Sequence, residues 1–134
     1  MHVRRGHGQA FAASALLLSN AAIHVIAFPD HFKVAPYIGV LFLLLALAVV
    51  PLAVGIGAGN KTAWTLAALM SAVAIIAYVL ARTTRLPYYR ESDWLDPMGA
   101  VPLGLLSLVV EFLFLVMWIN GRPRPSFSHR RYTA

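Results

Sequence analysis

A helix needs roughly 20 apolar residues to cross a hydrocarbon core of about 30 Å, and four stretches of this chain meet that length. They run from Gln9 to Phe28, from Tyr37 to Ile56, from Thr62 to Ala81 and from Val101 to Ile119. Each is bounded by residues that stop helices or seek water. Pro29-Asp30 follows the first, Gly57-Ala58-Gly59-Asn60 the second, Arg82 the third, and Asn120-Gly121 and Pro123 the fourth. Pro102 falls in the first turn of the fourth run, where a missing N–H costs least. Pro51 lies inside the second and predicts a kink, tolerated when neighbouring helices cover the freed carbonyl. The expectation is an all-α fold, a four-transmembrane-helix bundle forming one membrane domain over residues 1–134.

Charge supports this reading. Only 12% of the residues are charged and 60% are hydrophobic, whereas a soluble domain carries about 25% charged residues to cover its surface. Most of this surface must therefore face lipid or other apolar protein. The net charge of +6 would suit nucleic acid if it were clustered, but the cations flank the apolar runs, so no nucleic-acid partner is expected. Seven of the eleven cations lie at Arg4, Arg5, Lys61 and in the tail at Arg122, Arg124, Arg130 and Arg131. Lys33, Arg82, Arg85 and Arg90 lie in the other two loops, with Asp30, Glu91, Asp93 and Asp96. The positive-inside rule then predicts both termini in the cytoplasm. Usage rich in Ala, Leu, Val and Arg suggests a bacterial chain, and hence the inner membrane. A cleaved signal peptide is the competing reading of the start, but the apolar run is too long for one and contains Asn20 and His24. The absence of cysteine excludes disulfides and thiolate ligation.

Polar residues inside the spans carry most of the remaining information. Glu111 sits near the middle of the fourth, where a charge costs about 2.5–3.5 kcal/mol on insertion scales and normally faces protein or water. At 100° per residue, Gly104, Ser107 and Trp118 share its face, and the small residues permit close helix approach. On the first span Asn20 and His24 share a face. On the third, Ser71 lies near the centre and Tyr78 on the same side. These faces are expected to meet. With 1.5 Å of rise per residue, Glu111, Ser71 and Asn20 lie near the midplane, and His24 and Tyr78 roughly 8–9 Å nearer the outer end. Asn20–Glu111 is thus the better-placed pair, and His24–Glu111 contact needs a water or a tilted helix. Such residues serve either as interhelical glue or as a site for a metal, a haem or a proton.

A metal set would draw on His24, His31 and Glu111, since imidazole and carboxylate suit zinc, copper or iron. Against it, Pro29 stands between the histidines and no His-x-x-x-His spacing occurs. No cofactor is required by the sequence. Between the third and fourth spans, Tyr88, Tyr89, Arg90 and Trp94 form either an interfacial aromatic belt or a partner surface, where aromatics and Arg are enriched. The basic tail suits anionic lipid. No Ser/His/Asp ordering or phosphate-cradling glycine loop appears, so no catalytic residue is assigned.

The pattern His24…His31…Pro36-x-x-Gly39-x-x-Phe42, followed by Tyr78…Arg82-Thr83…Leu86-Pro87 and Glu111, resembles small four-helix membrane proteins of actinobacterial type, and more distantly the DoxX-like four-helix proteins. The resemblance implies a four-helix bundle and leaves activity open. Two functions are expected from the residues themselves. One is a non-catalytic accessory subunit packed against other membrane subunits of a larger enzyme, such as a respiratory oxidase or a particulate-type hydrocarbon monooxygenase. The other is an independent small membrane protein binding a metal, haem or proton through His24, Asn20 and Glu111. The first predicts polar groups that satisfy each other, and the second predicts side chains that converge on one cavity.

Overall fold

The computed structural model describes residues 3–84 and 103–121, with side chains from His7 onward. These residues form four helices, α1 (Val3–Val34), α2 (Pro36–Gly57), α3 (Lys61–Thr83) and α4 (Leu103–Gly121). Each is long and apolar enough to cross a membrane. α1 packs against α2 and α4, and α3 packs against the same two, so helices adjacent in sequence are adjacent in space. Gln9 meets Met117 and Asn20 meets Glu111, which sets α1 antiparallel to α4. The result is an up-and-down bundle. Its outward faces are apolar on every helix, as at Ile26, Leu47, Val73 and Phe112, a surface suited to lipid rather than water.

The first span departs from expectation at its end. It was expected to stop at Phe28, but α1 continues through Pro29 to Val34 and carries Asp30 and Lys33 on its last turns. Proline within a helix removes one N–H, here the donor to the Val25 carbonyl, and such losses are tolerated in membrane helices. The true break is Pro36. A residue before proline is pushed into extended conformation, and Ala35 has φ −144° and ψ 94°, with Pro36 beginning α2. A single residue therefore joins α1 to α2. The turn forces the two backbones together, because a Cβ on Gly39 would lie 2.6 Å from Phe32 Cβ and 2.7 Å from Phe32 Cα. Only glycine fits there.

At the other end of α2 the expected breaker behaves as read. Gly59 has φ +79°, and the Asn60 N–H donates to the Gly55 carbonyl at 2.9 Å, closing the helix as left-handed caps do. Asn60 Oδ1 then accepts from the backbone N–H of Thr62 at 2.8 Å and Ala63 at 3.2 Å, which starts α3. α4 is helical through Gly121, past the expected end at Ile119. Pro51 lies inside an uninterrupted α2. Pro102 lies outside the described residues.

Packing differs between the two halves of the bundle. Towards the Gly59 end the core is solid, built from Ala13 and Leu17 of α1, Val49, Ala53 and Ile56 of α2, Ala63 and Ala67 of α3, and Phe114 of α4. Small residues let membrane helices approach closely, and Trp64 stacks on Phe114 with ring centroids 5.9 Å apart. Ser14 Oγ adds a 2.8 Å hydrogen bond to the Ala53 carbonyl. Towards the Ala35 end the helices enclose open space.

Candidate functional site

The site begins at the boundary between the solid and hollow halves. Asn20 Nδ2 donates to Glu111 Oε1 at 3.1 Å, the pair that the depth argument selects. Ser107, one turn before Glu111 on α4, places its Oγ 2.9 Å from Asn20 Oδ1 and 3.3 Å from Glu111 Oε1. Its single hydrogen is shared between these two acceptors. All three residues are buried, with 2%, 8% and 3% exposure for Asn20, Ser107 and Glu111. In a lipid environment an unpaired polar group costs several kcal/mol, so the three side chains tie α1 to α4 at this depth. Ser71 is buried on α3 but takes no part in the network, contrary to the expectation that it would join this layer.

One turn further along α1, His24 Nδ1 lies 2.8 Å from the Asn20 carbonyl, and His31 Nδ1 lies 2.8 Å from the Ala27 carbonyl. A carbonyl only accepts, so Nδ1 carries hydrogen in both rings, and in the neutral ring Nε2 is left as an acceptor. The Phe42 ring of α2 lies between the two imidazoles, with centroids 5.0 Å from His24 and 4.6 Å from His31. Asn20 therefore positions two site residues, Glu111 through its side chain and His24 through its backbone.

Beyond the network lies a cavity of about 590 Å³, bordered by all four helices. Its walls are mostly apolar, with polar groups from His24, His31, Tyr78, Arg82, Ser107 and Glu111. Leu41 on α2 and Leu69 and Val73 on α3 border the cavity yet are 56%, 59% and 64% exposed on the outside of the bundle. The space thus opens sideways between α2 and α3. Nearer Ala35 the gap closes, where Phe42 and Ala81 pack on Ala35 and Ile38. On the α3–α4 side, Tyr78 fits against Gly104, where a Cβ would come within 2.9 Å of its Cε2. Arg82 lies over the Tyr78 ring, 3.6 Å from its centroid.

Of the residues expected to form a site, His24, His31, Tyr78, Ser107 and Glu111 border this one cavity, and Asn20 supports it from behind. They do not form a metal centre of the expected kind. Among the described residues no group of three or more His, Asp or Glu is gathered closely enough to hold an ion, because His24, His31 and Glu111 are spread along the cavity's length. Phe42 belongs to the motif that carries the resemblance, but its place between the histidines was not signalled, since a phenylalanine in an apolar run gives no hint of which helix it faces. Tyr88, Tyr89, Arg90 and Trp94 lie outside the described residues. Comparison of the chain with protein families, curated proteins and solved structures finds no match.

Proposed function

We propose that this chain is an independent membrane binding protein that takes an apolar molecule with one polar end from the bilayer into the cavity between its helices. The observation that carries the reading is the division of the bundle by depth, with a packed half at the Gly59 end and a half holding a cavity of about 590 Å³. Ligand sites commonly measure about 300–1,000 Å³ and combine apolar walls with a few placed polar groups. The lateral gap beside Leu41, Leu69 and Val73 supports access from lipid. No catalytic set accompanies the cavity among the described residues, so binding, storage or transfer fits better than chemistry. The distribution of lysine and arginine supports both termini and the Gly59 turn in the cytoplasm of a bacterial cell, with the chain in its inner membrane.

The test is purification in lipid nanodiscs, followed by solvent extraction, mass spectrometry, metal analysis and a visible absorption spectrum. A stoichiometric apolar compound from the wild type, reduced in an Ala74→Phe variant whose new ring intrudes on the cavity, is the expected result. Empty protein after extraction from several native membranes would overturn the reading. A haem band or bound metal would replace it with a cofactor role centred on His24.

The mutual satisfaction of Asn20, Ser107 and Glu111 favours a second reading, the accessory subunit of a larger membrane enzyme such as a respiratory oxidase or a particulate-type hydrocarbon monooxygenase. Affinity purification in gentle detergent separates the two. A stoichiometric enzyme complex supports the accessory role, and a lone protein supports the first.

A further inference from the structure

Two polar atoms of the cavity wall accept no hydrogen bond from any described residue. His24 uses Nδ1 on the Asn20 carbonyl, which leaves Nε2. Glu111 uses Oε1 for Asn20 and Ser107, which leaves Oε2. Both residues border the cavity, and they are only 7% and 3% exposed. Resting on the binding role proposed above, we infer that the ligand is a hydroxylated apolar molecule, an alcohol or phenol, whose O–H is donated to His24 Nε2.

The reason is an imbalance of donors. His24 Nε2 in the neutral ring is an acceptor and cannot donate. The Ser107 hydrogen is already shared within the network, so it is not free to satisfy His24 Nε2. A ketone, ether or ester placed against His24 would leave Nε2 without a donor. A hydroxyl supplies the missing hydrogen. Sites built around one hydrogen-bonding group reject analogues that lack it far more strongly than apolar pockets reject a methylene. The Phe42 ring beside His24 and the apolar walls admit the hydrocarbon part.

The experiment compares a ring-fluorinated 4-octylphenol with its methyl ether by fluorine NMR in nanodiscs holding the full chain, where bound and lipid-dissolved probe give separate signals. The phenol is expected to bind at least about tenfold more tightly than the ether, the scale set by leaving a buried acceptor unsatisfied. In His24→Phe, which keeps a ring but removes the acceptor, the preference is expected to fall to within about twofold, below the energy of one typical hydrogen bond. Equal binding of phenol and ether to the wild type overturns the inference while leaving the binding role intact. A preference that persists in His24→Phe overturns the assignment to His24. Binding of neither probe counts against the binding role itself. Should the variant fail to fold, the two probes on the wild type still decide.

Discussion

At the boundary of the cavity Asn20 holds polar partners on two elements. Its amide nitrogen donates to Glu111, its amide oxygen faces Ser107, and its backbone carbonyl receives His24. Replacing it with alanine strips Glu111 Oε1 of a buried donor, and unsatisfied buried groups of this kind cost about 1–3 kcal/mol. Asn20→Ala is therefore expected to lower unfolding stability in detergent by that amount, read by chemical denaturation. Glu111→Gln keeps an oxygen to accept from Asn20 and should cost less than about 1 kcal/mol, a typical net hydrogen bond. Equal losses in the two variants would show that charge rather than hydrogen bonding holds this layer. The Asn20–Glu111 pair was legible in the sequence, because polar residues in apolar spans are few and helical rise fixes their depth. Ser71 was not, since depth alone does not say which way a helix is turned.

Among the helices, α1 and its turn into α2 show how local rules compete. Pro29 reads as a stop, but only Pro36 ends the helix, because Ala35 takes the extended conformation and Pro36 sits where no N–H is needed. Pro29 is exposed within a continuous α1. Pro29→Ala is thus expected to leave the fold intact and to raise stability, by no more than about 3 kcal/mol, the full penalty of an interior proline. A fall in helicity by circular dichroism would contradict a continuous α1. Gly39→Ala should act in the opposite direction. Its methyl would meet the Phe32 backbone, which cannot rotate away, and overpacking of this kind costs about 1–3 kcal/mol. The same thermal or chemical unfolding measurement checks it, with no loss being the outcome that sinks the close crossing. All four spans could be read from apolar length, whereas the end of the first depended on which of two prolines the chain obeys.

For the whole molecule, the contrast between packed and hollow halves was beyond the reach of sequence. Residues facing a cavity and residues facing lipid are both apolar, so Leu41 and Val73 read the same as any other position on an outward face. The contrast has a measurable consequence. Natural sites often trade stability for function, and filling this one should reverse the exchange. Ala74→Leu, which adds apolar volume inside the cavity, is expected to raise the unfolding midpoint by a few degrees, about the shift that 1 kcal/mol produces in a domain of this size. It should also weaken binding of the fluorinated phenol. A lower midpoint would mean that the space is already occupied by side chains.

The lateral gap also has a position along the membrane normal. It lies between α2 and α3 and runs from about the level of the Asn20–Glu111 layer towards the Ala35 end, while the Gly59 side is closed by packed alanines. On the binding role proposed above, a molecule dissolved in the bilayer would meet this opening mainly from one monolayer. Compounds delivered to the opposite leaflet would then have to flip before capture. That role would make the protein a reader of leaflet asymmetry, and its apparent affinity for a slowly flipping amphiphile should depend on the face of the membrane to which that amphiphile is added.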